Sequence, residues 1–151
     1  MSTYALQAVQ ATISGPGGNT PIGATAGISK EGISCVMLEE KSTMTQGGGG
    51  AIMHSLHAGR GGRITVRLMK TSPTNAVLNA MYNLQTANPA LHGQNVIVVS
   101  DPFRGDLHKM ELGAFEKHPD IVYSEDGPMN EWVFVGRLDM QLGAGVPDVN
   151  G

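Results

Sequence analysis

The chain has 151 residues, 40% hydrophobic and only 15% charged, with a net charge of −3 at pH 7. That length suits one domain with its own core, and ten scattered Lys and Arg exclude the clustered cations with which a protein grips nucleic acid. A lone cysteine excludes an internal disulfide, no apolar run approaches the ~18 residues of a membrane span, and the first residues read as no signal peptide.

Two departures from ordinary composition need explaining. Charge lies well below the roughly 25% of a typical soluble protein, as expected of a surface that becomes an interface. Glycine, at 21 residues, is about twice its usual share of ~7%. Because glycine weakens regular structure, so many of them point to turns, bulges and close backbone approach.

In chain order, Ala5 to Ile13 reads as a strand, stopped by the turn sequence Ser14-Gly15-Pro16-Gly17-Gly18-Asn19. Ile33 to Glu39 reads as a second strand. Residues 41–62 are irregular, with Gly47, Gly48, Gly49 and Gly50 in one run and a short strand over Ala51 to Leu56. In Arg63 to Lys70, Ile64, Val66 and Leu68 alternate with Arg63, Thr65 and Arg67, the pattern of a half-buried strand. Ser72 as N-cap and Pro73 at the first helical position open a helix over about 73–87. Its apolar stripe is Val77, Met81 and Leu84 with Leu78 beside it, and Asn88-Pro89 ends it. Asn95 to Ser100, Leu107 to Phe115 and Ile121 to Tyr123 read as further strands. In the last clear strand, Glu131 to Leu142, Trp132, Phe134, Leu138, Met140 and Leu142 share one face. Glu131, Val133, Val135, Arg137, Asp139 and Gln141 share the other. The sum is a mostly antiparallel β domain with one packed helix.

Catalytic patterns are weak. His54 and His57 lack the further ligands that zinc requires. Gly47 to Gly50 is followed by no Lys-Ser or Lys-Thr, so it is no phosphate loop. Asp101 to Asp106 is turn chemistry between strands, and Glu111 adds no convincing nuclease cluster. Cys35 sits in an apolar run and reads as a buried, inert thiol. The expectation is therefore no catalytic residue, no metal and no cofactor.

Several phrases follow one another at telling spacing: Met53-His54-Ser55-Leu56-His57-Ala58-Gly59, Ile64-Thr65-Val66-Arg67-Leu68-Met69-Lys70-Thr71-Ser72-Pro73, Met81-Tyr82-Asn83, His92-Gly93-Gln94-Asn95, Asp101-Pro102 and Glu131-Trp132. Together they make the chain resemble, end to end, the tail tube proteins of contractile-tailed bacteriophages. The resemblance implies one domain over 1–151, a β-sandwich or barrel of two packed antiparallel sheets with one flanking α-helix. It implies a structural role, not an enzyme: hexameric rings stacked into a hollow conduit for genome ejection within the virion tail, assembled in the host bacterial cytoplasm. The implied partners are other copies of the chain, a sheath protein outside, and baseplate and tail terminator proteins at the ends, with DNA passing through the lumen unbound and no membrane insertion. The ring protein of type VI secretion, which carries effectors, shares the fold and is the alternative reading.

Physics is compatible with a ring. A barrel of roughly 24 strands, spaced at about 4.8 Å and tilted by ~40°, has a backbone diameter of about 45–50 Å, enough for a duplex. On the tube reading, Arg63, Thr65, Arg67, Arg137, Asp139 and Gln141 are expected to line the lumen. Residues 41–62 are expected to project as an arm that contacts the next ring or subunit through Gly47, Gly48, Gly49, Gly50, Ala51, Ile52, Met53 and Leu56.

Overall fold

A computed structural model describes residues 9–23 and 28–144. Nine strands and one helix follow in the order β1 (Gln10–Gly15), β2 (Gly18–Pro21), β3 (Ile28–Met37), β4 (Ser42–Gln46), β5 (Ile52–Leu56), β6 (Gly61–Leu68), α1 (Thr74–Ala87), β7 (Asn95–Asp101), β8 (Asp106–Lys117) and β9 (Asn130–Gln141). Seven strands form one antiparallel sheet in the order β2-β1-β7-β8-β9-β6-β3, and β4 and β5 form a separate two-stranded sheet. The mainly β fold with one helix, expected from sequence, is the observed one. The two antiparallel sheets are very unequal, and the layering comes from the larger one curling on itself. Ile13 of β1 and Ile97 of β7 join Ile64 and Val66 of β6 and Phe134 of β9 in one buried cluster, against which Ile33 and Cys35 of the far edge strand also pack.

Several boundaries and faces differ from the sequence expectation. Ala5 to Ala8, where the first strand was expected to begin, lie outside the described residues. The turn after β1 is only Pro16-Gly17, and Gly18–Pro21 already runs back as β2. Ile121 to Tyr123 is no strand: all three are exposed in an irregular connection, with Lys70 donating to the Val122 carbonyl and lying over the Tyr123 ring at 4.3 Å. At the end of β9, Met140 and Leu142 are exposed, because the core stops at Leu138. Val133, on the nominally polar face, is buried beside its cross-strand partner Thr65.

The helix is rotated relative to the expected stripe. Its buried side is Thr74, Leu78, Met81 and Gln85, whereas Val77 and Leu84 are exposed. A polar contact sets this rotation. Gln85 and Asn95, both fully buried, exchange amide hydrogen bonds: Asn95 Nδ2 donates to Gln85 Oε1 (2.7 Å) and Gln85 Nε2 donates to Asn95 Oδ1 (2.8 Å) and to the Pro16 carbonyl (2.9 Å). An apolar residue at 85 would leave three polar atoms in the core without partners. Gly15 belongs to the same unit, since a Cβ there would collide with the Asn95 amide. At the other end of the helix, Ser72 Oγ accepts from Thr74 N–H at 3.3 Å. Asn75 accepts from Trp132 Nε1 (2.9 Å) and donates to the Met69 and Ser72 carbonyls. Between these anchors, Tyr82 meets Phe115 and His118 edge-on, and Phe115 meets Trp132 and Phe134.

Strand β8 shifts register against β9 twice, at Leu112–Gly113 and at Glu116, and the first shift is the sharper bulge. Glu111 pairs with Arg137 and Ala114 with Val135, so two residues, Leu112 and Gly113, stand opposite Gly136. Leu112 has a φ of 53°. A Cβ at 136 would come within 2.8 Å of the Glu111 carbonyl, which restricts that site to glycine.

Asn95→Leu should lower subunit stability by about 1–3 kcal/mol, because it leaves the Gln85 amide unsatisfied. The double variant Gln85→Leu/Asn95→Leu should recover part of that loss. Urea denaturation, read as a change in midpoint at constant slope, measures both.

Candidate functional site

The chemistry-bearing side chains collect in three places. The first is the sheet face turned away from the core. Strands β6 and β9 are neighbours, pairing Arg63 with Val135, Thr65 with Val133, Arg67 with Glu131 and Gly61 with Arg137. Arg63, Thr65, Arg67, Arg137, Asp139 and Gln141 therefore lie on one face, since all alternate with the buried Ile64, Val66, Trp132, Phe134 and Leu138. β8 extends this face with Lys109, Glu111 and Glu116. Most of the charges pair: Arg60 and Asp139 approach to 2.8 Å, Arg63 and Glu116 to 3.1 Å, Lys109 and Glu111 to 3.2 Å, and Arg67 and Glu131 to 3.3 Å, while Arg137 joins none of these pairs. Arg67 also donates to Ser34 Oγ on β3 at 3.0 Å. The acidic partners Glu111 and Glu116 did not figure in the expected set: Glu116 lies past the strand expected over Leu107 to Phe115, and only the register brings both beside β6 and β9. Solvent-exposed pairs of this kind each contribute only about 0–1 kcal/mol, so their consequence is a largely neutral surface and not a stable one.

The second place is the β4–β5 hairpin. Its strands pair from Ser42 with Leu56 to Gln46 with Ile52, and every residue is exposed apart from the half-buried Ser55. Glycines 47–50 make the turn: Gly50 N–H donates to the Gly47 carbonyl at 3.2 Å, and Gly50 takes a φ of 84°. Around Gly48 and Gly49 the space is empty. Ala51, Ile52, Met53 and Leu56 are all exposed, Leu56 at 85%, and Met44 joins them. His54 stands opposite Met44, and His57, just past the hairpin, meets Thr43 Oγ1 at 3.2 Å through its Nε2. Among the described residues no group of three or more His, Cys, Asp or Glu is placed to hold a metal ion.

The third is a cleft of about 330 Å³ where the curled sheet brings β3 toward β7, lined by Val9, Ile33, Cys35, Asp101, Asp106 and His108 among others. It brings the Cys35 thiol beside an imidazole and two carboxylates from residues 101–108, far from it in sequence. Both acids are committed to structure. Asp101 Oδ1 accepts from Phe103 N–H (3.2 Å) within the β7–β8 turn, and Asp106 Oδ1 accepts from Gly143 N–H (2.8 Å). Burial pushes the Cys35 thiol up to about 11, so it stays protonated at neutral pH.

Comparison with known proteins adds to this geometry. The family model described as bacteriophage PhiTE tail tube protein matches residues 1–143. No curated protein matches the chain. Among solved structures, the chain is similar to the tube-terminating cap of the anti-feeding prophage, with 12% identity, 95% of each chain covered and a TM-score of 0.57. It is similar to a chain of the extended sheath–tube complex of the PVC extracellular contractile injection system, with 12% identity, 88% of each chain covered and a TM-score of 0.54. It is also similar to a chain of that system's sheath/tube terminator, with 14% identity, 87% of this chain and 93% of the other covered, and a TM-score of 0.55. At such identities the likeness is one of fold.

Cys35 should react with a thiol reagent at pH 8 about a hundredfold more slowly than a free cysteine, because the thiolate forms only as the pH rises toward 11. Following alkylation from pH 7 to 10.5 checks this, and a rate that levels off below pH 9 would contradict it.

Proposed function

The chain belongs to the bacteriophage PhiTE tail tube protein family, and on that premise we propose that six copies form a ring and that rings stack into a hollow tube for genome passage. The observation that carries this reading is the face of β6, β8 and β9, where every cation but Arg137 is ion-paired. A conduit must expose polar groups to a phosphate polymer without holding it. Each cation that pairs with a phosphate strengthens binding in a salt-dependent way. Here Arg60, Arg63, Arg67 and Lys109 each have a carboxylate within reach, which withholds them from such pairing. Arg63, Thr65, Arg67, Arg137, Asp139 and Gln141 are the proposed lumen wall.

The hairpin with its glycine turn is the proposed contact to the next subunit or ring. Four large apolar side chains in open solvent are a poor arrangement for a lone subunit. Each gains about 1.5–3 kcal/mol when fully buried. A sheath would surround the tube, with baseplate and terminator proteins at its ends, in a tail built in the bacterial cytoplasm. The likeness in fold to a chain of an extracellular contractile injection system's sheath–tube complex keeps a second reading in view, a ring stack that carries effectors instead of DNA.

Purified protein should form rings or hollow tubes visible by electron microscopy, and sedimentation of nothing but a 15.8 kDa monomer at high concentration would refute the proposal. Assembled tubes should not retain DNA at about 0.15 M salt. Replacing Glu111, Glu116, Glu131 and Asp139 by their amides should create retention that falls steeply as salt rises.

Deleting residues 46–52 should leave a folded subunit that forms rings poorly or fails to stack them. Long, normal tubes from that variant would show the hairpin to be dispensable.

A further inference from the structure

The charged residues are unevenly spread along the chain. Residues 1–29, 42–59 and 71–100 contain none of the ten Lys and Arg or the thirteen Asp and Glu. The fold does not scatter these stretches. β1, β2, β7 and α1, drawn from the first and third, adjoin one another at one end of the sheet, with α1 against β2. The second stretch holds the β4–β5 hairpin. One half of the domain and its arm thus carry one ionic group, Asp101 at the end of β7, buried and bonded within the β7–β8 turn, and the other half carries the ion-paired face.

Within the nearly uncharged half, α1 presents a second apolar stripe beside its buried one. Val77, Ala80 and Leu84 recur at i, i+3 and i+7 and are exposed, Val77 at 37% and Leu84 at 45%. They border the β1–β2 turn. A Cβ on Gly17 would come within 2.9 Å of Leu84 Cδ2, and one on Gly18 within 3.6 Å of Val77 Cγ1. The opposite flank of the helix is occupied, with Asn75 on Trp132, Asn79 on His118 and Tyr82 on Phe115.

We propose that the flank Val77, Ala80 and Leu84, with the Gly17–Gly18 turn, is the seat for the hairpin of a second copy of this chain. Met44, Ile52 and Leu56, which share one face of the hairpin, supply the apolar contacts. The inference rests on reading the hairpin as an inter-subunit arm and names the surface that receives it. Charge decides between the surfaces available. Seating an uncharged, apolar arm on the β6–β8–β9 face would strip water from Arg60, Arg63, Glu116 and Glu131, and buried ions are costly unless repaired by equivalent contacts. The helix flank imposes no such cost, and its glycines and alanine permit close approach. Position supplies the second argument. The arm leaves the sheet between β3 and β6, and the seat adjoins β2, the opposite edge strand. A contact between opposite ends of identical subunits is head-to-tail and propagates into a ring or filament, as an isologous contact cannot.

The full chain tests this with two sets of variants. Leu84→Glu and Ile52→Lys, both at exposed positions, should each keep the thermal midpoint of the subunit and weaken assembly by about tenfold or more. Combined, they should restore part of it. Assembly of the unsubstituted chain should change little between about 0.05 M and 1 M NaCl, since no ion pair seals the contact. In a Cys35→Ser background, Ile52→Cys with Leu84→Cys should give, on oxidation, a ladder of covalent multimers extending beyond the dimer. Tubes that form normally with Leu84→Glu, or that yield no ladder from the double-cysteine chain, would overturn the proposed seat. If the hairpin deletion also assembled normally, the arm reading itself would fall; if only the deletion blocked assembly, the arm would dock elsewhere.

Discussion

An antiparallel sheet that does not close leaves two rows of backbone donors and acceptors without strand partners, and everything else in this fold is arranged around that fact. β2 and β3 end the seven-stranded order, and among the described residues each pairs with a single neighbour, β1 and β6 respectively. Free edges of this kind invite pairing with other chains. The two ends differ. β2 is four residues long and finishes on Pro21, which has no N–H to offer, whereas β3 runs for ten residues. The longer edge has more to gain from a partner strand, and it stands next to the arm.

The core must hold the curled sheet in shape without help from a closed barrel, and the helix does this by polar pins at both ends. Gln85 with Asn95 ties its C-terminal turn to β7 and to the β1–β2 turn, and Asn75 with Trp132 ties its N-terminal turn to β9. Hydrophobic burial alone is indifferent to small rotations of a helix on a sheet, but reciprocal amide bonds are not. Four of the chain's seven aromatic residues, Tyr82, Phe115, Trp132 and Phe134, sit beneath or beside this span. A protein this poor in aromatic side chains places them where the curvature is set.

Much of the architecture was legible in the sequence because period-two alternation is strong in β6 and β9, where one face is fully buried. The exposed hairpin strand β4 escaped notice, since Ser42–Gln46 has neither face buried and alternation carries no information there. The helix was found, but its stripe was misjudged. Val77 and Leu84 look like core residues, and Gln85 does not, until Asn95 is seen across from it. Alternation puts the polar residues of β6 and β9 on one face, but it does not show that Thr65 is buried there, and the carboxylate partners on β8 could not be added without the register. The cleft around Cys35 joins residues from strands far apart in sequence and was invisible for that reason.

The bulge in β8 has a consequence for how the strand encodes its two faces. Before it, odd positions such as Lys109 and Glu111 face outward and Met110 faces in; after it, even positions such as Glu116 face outward and Phe115 faces in. Leu112 and Gly113 act like a corrected reading frame, shifting the inside–outside code by one so that Ala114 and Phe115 fall in phase with β9, and a second shift at Glu116 moves the code again before Lys117. Removing one of these two residues would invert the stretch that follows, turning Phe115 toward the ion-paired face and Glu116 into the aromatic core. Length at this point of the chain is therefore constrained more tightly than composition.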